Sequence, residues 1–343
     1  MNASVNGLRC SSNLTTSYKF YTTAFYSLIF VVSLVGNSLI GIIVYKTQTL
    51  RKPINFLIVN MAMSDILYPL FLIPRRISDL HLNSWLIRGG FGEALCKLGP
   101  FLTDVSLIVS VESLVLVAVD RFGAVMFPLR PTLITSKRCL LLIVLTWIVA
   151  LAVMSPDLVV YSLNVDQGEV VCHRNWDSVG DSTSWARYVF AMNVVFIYIP
   201  MAILIILYSS MLLKLTLRKT PGEGLTVSER KREKRNRNVW KLTIAIVVLF
   251  IASWIPWSIN FLVVIFTKDP LPCGFFIYWK ITQLVTNLHC AINPCICLAF
   301  SGYYRQAFKK LFKCSRALRS QEEVAITLQT GRGIQYSSQA TLF

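Results

Sequence analysis

The stretch AFYSLIFVVSLVGNSLIGIIVY, residues Ala24–Tyr45, runs for 22 residues without a charged side chain. A transmembrane helix needs about 20 mostly apolar residues to cross a hydrocarbon core of about 30 Å. The whole chain is 55% hydrophobic and 15% charged, with a mean hydropathy of +0.58. Soluble domains, disordered chains, collagens, coiled coils and small disulfide scaffolds have other compositions. The sequence therefore predicts a protein whose main solvent is lipid.

Six further apolar runs follow in the 343 residues: Ile54–Pro74, Leu98–Val119, Cys139–Pro156, Tyr188–Leu213, Leu242–Phe266 and Ile281–Ser301. None of them alternates between polar and apolar residues, as the strands of a membrane barrel do. A lipid-exposed segment must also satisfy its own backbone hydrogen bonds, which favours helices. We predict an all-α membrane protein built as a bundle of seven transmembrane helices.

The remaining segments complete the expected domain organisation. We predict an N-terminal tail at 1–23, the bundle at 24–301, an amphipathic eighth helix at 302–314 and a C-terminal tail at 315–343. The charged stretch Ser228–Lys241 predicts a solvated helical extension of the sixth span.

Basic residues are distributed unevenly between the two sides of this bundle. Of the 34 Lys and Arg, 24 lie in the loops and tail of one side, and the other ten are nearly balanced by carboxylates. The positive-inside rule places the basic side in the cytoplasm. We expect a multi-pass plasma-membrane protein with its N-terminus outside, its C-terminus inside and its first span as the insertion signal. The net charge of +17 then reports topology and contact with anionic membrane lipid, and we expect no nucleic-acid partner.

Every span also carries a polar, aromatic or proline motif that a purely structural helix does not need. These motifs are Gly36-Asn37, Asp65, Asp120-Arg121-Phe122, Trp147, Pro200 with Tyr208, Phe250-x-x-x-Trp254-x-Pro256 and Asn293-Pro294. In this order and spacing the chain resembles the rhodopsin-like (class A) G-protein-coupled receptors over about Ala24 to Cys314. The string DRFGAVMFPL, Asp120–Leu129, is especially similar to the second inner loop of that family.

The resemblance implies a switch at the cytoplasmic side. Asp120 pairs with Arg121 at rest, and Arg121 turns toward an inserted G-protein helix when the sixth helix swings out about its kink. The residues implied are Asp120, Arg121, Pro128, Leu129, Tyr208, Pro256, Asn293 and Pro294. A heterotrimeric G protein is the expected partner, with arrestin and a receptor kinase as further partners. Cys297 stands where the family has a tyrosine, so the active-state contact to Tyr208 must be built differently.

Asp65 is an ionisable residue near the middle of a span, which marks a functional candidate. The resemblance implies an internal sodium site there, with the neighbours Asn37, Ser110 and Asn293. His289 and Cys290 replace more usual polar ligands. The alternative is a protonated Asp65 in a hydrogen-bond network, and the sequence leaves both open. No other cofactor or metal is expected.

Cysteines and sequons on the expected outer side complete the resemblance. It implies a disulfide between Cys96 and Cys172, and a second bridge between Cys10 and Cys273, for which the alternative is two free thiols. Asn2 and Asn13 begin glycosylation sequons, and Cys314 after the amphipathic stretch is a palmitoylation candidate.

The ligand is expected to be a peptide. The loop sequence Cys172–Trp176 is similar to that of neuropeptide receptors, the seventh span has no lysine for retinal, and the position of the amine-binding aspartate holds Thr103. Asp104, if it faces inward, favours a basic group on the ligand. The predicted pocket residues are Thr103, Asp104, Leu107, Trp254, Trp257, Ser258, Phe261, Trp279, Gln283 and Asn287.

Other functions remain as alternatives. A class A receptor for a small molecule or amine shares all the switch motifs. A transporter or channel would place paired ions or broken helices along a pore. An intramembrane enzyme would need a metal-binding or Ser/His set within the bilayer, and His289 is the one histidine in a predicted span. We therefore expect a receptor and not an enzyme.

Overall fold

The structure, a computed structural model, describes residues 15–82, 84–127, 133–166, 168–176, 179–180, 184–217, 227–267 and 273–311. Six described helices are long and apolar enough to cross a membrane, and a bent pair makes a seventh. They are α1 (Thr16–Lys46), α2 (Pro53–His81), α3 (Gly89–Met126), α4 (Ser136–Met154), α5 (Ser184–Asn193, Val194–Tyr198 and Ile199–Leu217 without a gap), α6 (Val227–Phe266) and α7 (Cys273–Asn287 and His289–Phe300). Residues 302–311 form α8. The predicted all-α bundle is confirmed.

Most helices extend past the apolar runs that predicted them. Helix α1 begins at Thr16, where the side chain of Thr15 accepts a hydrogen bond from the Tyr18 amide, eight residues before the apolar run that starts at Ala24. Helix α7 likewise begins at Cys273 instead of Ile281. Apolarity reports only the length inside lipid, whereas a helix continues with polar residues into water. The extension expected over Ser228–Lys241 is present in α6.

A β-hairpin covers one end of the bundle. Strand β1 (Tyr161–Asp166) pairs antiparallel with β2 (Glu169–Arg174), and the turn between them contains Gly168 with φ +87°. The predicted disulfide between Cys96 and Cys172 ties β2 to the start of α3, with an S–S distance of 2.02 Å. We call this the hairpin end and the opposite end, where α3 carries Asp120 and Arg121, the Arg121 end.

Prolines interrupt the regular hydrogen bonding of several helices. A proline has no amide proton, and its ring clashes with the carbonyl four residues earlier. In α5 the π-helical segment Val194–Tyr198 directly precedes Pro200. In α7 the two halves meet at Leu288 with a bend of 41°, six residues before Pro294.

Two prolines, Pro69 in α2 and Pro294 in α7, leave backbone carbonyl groups without a helical hydrogen bond, and side chains of α1 donate to these carbonyls. Pro69 releases the carbonyl of Asp65, and Pro294 releases that of Cys290. The Ser33 hydroxyl donates to both oxygens, at 2.9 and 3.2 Å, and Asn37 Nδ2 donates to the Cys290 oxygen at 2.9 Å. Because unpaired carbonyls are costly in lipid, these bonds fix α1 against α2 and α7.

Gly36 makes room for the same contact. A Cβ added at Gly36 would lie 2.7 Å from Cγ of Pro294, closer than van der Waals contact allows. The missing side chain therefore lets α7 approach α1 closely enough for the bonds from Ser33 and Asn37.

We expect Gly36→Ala to destabilise the protein by about 1–3 kcal/mol, the usual effect of overpacking. Gly41→Ala is the matched control on the same helix, because its added Cβ meets nothing within 4 Å. The control should be neutral, or stabilising by up to about 1 kcal/mol through helix propensity. Thermal unfolding of the detergent-purified variants measures both effects, and equal melting temperatures would contradict the packing argument.

Candidate functional site

A cavity of about 270 Å³ opens between the helices at the hairpin end. Its walls come from α2 to α7 and from β2. On α2 the lining residues Tyr68, Leu72 and Arg76 are spaced four apart, so they share one helix face. On α7, Gln283 and Asn287 show the same spacing. The cavity thus combines aromatic, amide and charged groups, as ligand sites commonly do.

Most of the predicted pocket residues line this cavity: Thr103, Asp104, Leu107, Trp254, Trp257, Gln283 and Asn287. The Thr103 hydroxyl donates to the Gly99 carbonyl at 2.7 Å, so it is satisfied within its own helix. This position, where an amine receptor has its aspartate, therefore offers no charge to a ligand.

Three predicted pocket residues do not line the cavity and are corrected. The Trp279 ring packs against Trp257, with centroids 5.0 Å apart. Phe261 is buried one turn beyond Trp257. Ser258 lies on the neighbouring face of α6, beside Tyr198. The sequence places Ser258 and Phe261 on the same helix as Trp254 and Trp257, but helical spacing alone cannot tell which side chains reach the cavity.

The floor of the cavity connects α6 to α7 and α2 through rings. The His289 ring lies 5.7 Å from the Trp254 ring and 4.5 Å from the Tyr68 ring, between centroids. His289 Nδ1 is 2.8 Å from the Thr286 carbonyl oxygen. Tyr68 in turn donates from its hydroxyl to Oδ1 of Asn287, at 2.8 Å. A group bound in the cavity therefore meets the rings of Tyr68 and Trp254, which His289 connects from behind.

The charged part of the cavity includes residues that the sequence did not single out. Arg174 of β2 donates to the buried carboxylate of Asp157 at 3.2 Å. Asp104 lies beside both groups, within hydrogen-bonding reach of Asp157. Asp104 lines the cavity and therefore faces inward, as expected, but it already has partners in the protein.

The Arg174 guanidinium is strongly held as a cation. Burial is the largest single influence and lowers its pKa, but the combined effect of Tyr161, Asp157 and Asp104 is larger, so the pKa is raised above its ordinary value. The Tyr161 ring lies 5.1 Å from this guanidinium carbon and 5.5 Å from that of Arg75.

A second polar cluster lies in the centre of the bundle. Asn293 Nδ2 donates to Oδ2 of Asp65 at 2.6 Å, and Ser110 lies beside the same carboxyl group. Oδ1 of Asp65 and Oδ1 of Asn37 are buried and have no hydrogen-bond partner in the described part of the chain. The structure thus brings together all four residues that the sequence predicted here, and it adds Ser33.

At the Arg121 end, the Arg121 guanidinium donates to the Asp120 carboxylate, which is 4% exposed. Lys214 of α5 donates to the Met126 carbonyl at 2.6 Å and so joins the ends of α5 and α3. Tyr208 and Cys297 are both buried. Pro256 lies inside α6, two residues beyond Trp254.

Several predicted sites lie outside the described residues. These are Pro128 and Leu129 of the switch, Cys10 of the second disulfide, the sequon residues Asn2 and Asn13, and Cys314. Cys273 is the first residue of α7.

Comparison with known proteins gives a consistent result. Residues 36–296 match the family model described as seven-transmembrane receptor (rhodopsin family). The chain is 28% identical to the RYamide receptor of Drosophila melanogaster, over 88% of this chain and 65% of that protein. It is 30% identical to neuropeptide receptor 22 of Caenorhabditis elegans, over 91% and 75%. It is 28% identical to neuropeptide FF receptor 2 of Mus musculus, over 90% and 76%.

Removing Arg174 should destabilise the hairpin end, because Asp157 would keep a buried carboxylate without its cation. Breaking a buried pair costs about 3–5 kcal/mol, and we expect about 2–3 kcal/mol for Arg174→Gln because its side chain is 23% exposed. Thermal unfolding of the purified variant measures this loss.

Two variants make this prediction specific. Arg88→Gln removes an exposed arginine at the same end and should leave the melting temperature unchanged. Adding Asp157→Asn to Arg174→Gln should recover part of the loss, since it removes the uncompensated charge. A double variant less stable than Arg174→Gln alone would refute the electrostatic explanation.

Proposed function

Because the chain belongs to the rhodopsin family of seven-transmembrane receptors, we propose that it binds an extracellular peptide and activates heterotrimeric G proteins. One observation carries the proposal: a polar cavity lies at one end of the bundle and the Asp120–Arg121 pair at the other, with ring contacts at Trp254 and the Asp65–Asn293 pair buried between them. A two-site protein of this kind can couple the binding of one partner to the binding of another.

The peptide ligand is supported by the chemistry of the cavity. Charged groups at its rim, amides of α7 and a floor of aromatic rings offer contacts to backbone and side chains alike. The names of the similar proteins, a RYamide receptor and neuropeptide receptors, support the same class of ligand. In this proposal the hairpin end faces the extracellular side of the plasma membrane. The N-terminus lies outside and the C-terminus in the cytoplasm, as the positive-inside rule predicts.

In the proposed mechanism the ligand selects one of two arrangements of α6. A ligand that presses on Trp254 and Trp257 favours rotation of α6 about the kink at Pro256. The movement opens the Arg121 end, where Arg121 leaves Asp120 for a G-protein helix. Ligand and G protein prefer the same arrangement, so each raises the affinity for the other. We propose that arrestin and a receptor kinase bind the same open end. The basic stretch Ser228–Lys241 and the C-terminal tail are proposed to bind anionic lipid.

The central cluster is further proposed to hold a sodium ion. Oxygen atoms are the ligands that a hard cation prefers, and the cluster offers two buried oxygens that have no partner among the described residues, Oδ1 of Asp65 and Oδ1 of Asn37. Ser110 and Asn293 lie beside the same carboxyl group. The ion would neutralise Asp65 and stabilise the arrangement in which these helices are closely packed.

Nucleotide exchange tests the receptor function. The purified protein in lipid nanodiscs, given a set of peptides and a panel of Gα subunits with βγ, should accelerate exchange of GDP for a labelled GTP analogue. Arg121→Ala should lower that acceleration at least about tenfold, because it removes the charge that meets the G protein. Arg138→Ala, an exposed arginine at the same end, is the control and should retain it. No exchange with any subunit, or full exchange by Arg121→Ala, would refute the proposal.

Sodium binding is tested by thermal unfolding in NaCl and in choline chloride at equal ionic strength. At a sodium concentration ten times the Kd of the site, bound sodium stabilises the wild type by about 1.4 kcal/mol. Asp65→Asn should abolish the sodium dependence. Glu112→Gln is the control, because it replaces another intramembrane carboxyl group, whose Oε2 is buried. This variant should keep the sodium dependence of the melting temperature. Sodium dependence that survives in Asp65→Asn would place the ion elsewhere.

A further inference from the structure

Arg76 is a cation of the cavity without a partner. It makes no hydrogen bond or ion pair with any residue in the described part of the chain, and its Nε is buried and unpaired. A guanidinium carries five N–H donors and is always charged, and the buried Nε–H of Arg76, which has no acceptor among the described residues, costs free energy. An arginine in this condition, at the wall of a cavity, suggests a missing anion.

The neighbouring arginine shows that this condition is particular to Arg76. Arg75 lies 3.9 Å from the Asp79 carboxylate, and its guanidinium carbon lies 5.5 Å from the Tyr161 ring centre. Adjacent residues on a helix point about 100° apart. Arg75 therefore points toward the hairpin, whereas Arg76 shares the cavity face with Tyr68 and Leu72.

The acidic residues of the cavity are occupied by other cations. Asp157 forms its ion pair with Arg174, and the cations that act on Asp104 are Arg174 and Arg75. The electrostatic neighbours of Arg76 are instead Tyr26, Tyr68 and Lys280. The cavity thus has an acidic side, balanced within the protein, and a cationic corner between α1, α2 and α7.

The polar groups at this corner suit an acceptor. The Tyr26 hydroxyl accepts from Asn287 Nδ2 at 3.4 Å and keeps its own proton to donate, whereas the Tyr68 proton is already donated to Oδ1 of Asn287. Lys280 and Lys19 add positive potential beside Arg76. Donors and positive charge together select an anion that accepts hydrogen bonds, and a carboxylate accepts the two parallel bonds of a guanidinium.

We propose that Arg76 binds a carboxylate of the extracellular ligand, so that the ligand presents a free acid group to the corner between α2 and α7. The inference rests on the proposed receptor function and deepens it, because it names the chemical group that the ligand must carry. The acid is the α-carboxylate of a peptide or an acidic side chain near its end. The aromatic floor around Trp254 and Trp257 receives the neighbouring apolar side chain.

A matched pair of small probes tests the proposal without knowledge of the natural ligand. N-acetyl-L-phenylalanine and N-acetyl-L-phenylalaninamide differ only in the acid group, and each is titrated against the purified full-length protein while thermal unfolding is followed. The wild type should bind the acid about tenfold more tightly than the amide, as a charge-assisted bond predicts. Arg76→Gln should reduce this preference to less than about twofold.

Two further variants separate recognition from folding. Arg75→Gln removes the adjacent arginine and should keep the preference for the acid, because Arg75 does not line the cavity. Arg76→Lys keeps a positive charge and should retain a smaller preference. Equal binding of acid and amide by the wild type, no binding of the acid, or an unchanged preference in Arg76→Gln would each overturn the proposal.

The outcome is distinguishable from failure of the receptor function. Nucleotide exchange by the wild type reports the receptor function and needs neither probe. Exchange without a preference for the acid would leave a receptor whose ligand is recognised by other groups. Preference for the acid without exchange would leave a carboxylate-binding membrane protein.

Discussion

A backbone carbonyl that loses its helical partner inside a bilayer must find another donor, and this constraint organises the centre of the molecule. Pro69 and Pro294 release the carbonyls of Asp65 and Cys290, and one hydroxyl, that of Ser33, reaches both. Three helices are thereby fixed around a single side chain. Gly36 permits the approach, and the Asp65 carboxyl group is placed where Asn293 donates to it.

Charge organises the hairpin end in a comparable way. The disulfide at Cys172 holds β2 over the bundle, and Arg174, two residues later, reaches the buried carboxylate of Asp157. This pair, with Asp104 and Arg75, nearly balances the acidic side of the cavity within the protein. Arg76 has no ion pair in the described part of the chain, and we propose that it is available to an outside partner. Specificity at this end thus follows from which charges the fold has already neutralised.

The fold was largely predictable, because lipid imposes a simple requirement on each span. Ala24–Tyr45 and the later apolar runs located seven helices, and motif residues such as Asp65, Trp254 and Asn293 marked their inward faces. The site was only partly predictable. Thr103, Gln283 and Asn287 line the cavity as expected, while Ser258 and Phe261 do not. Helical spacing gives a face but not the element that the face meets.

The sequence by itself determined the solvent, the number of spans, the topology signal and the motif positions, since these depend on local apolarity, charge and proline content. Only the tertiary structure decided the partners of the charged residues. Arg75 and Arg76 are neighbours of one type in the sequence, yet one pairs with Asp79 and the other faces the cavity with no ion pair among the described residues. Electrostatic interactions depend on distances between helices and on burial, and neither is a property of a single segment.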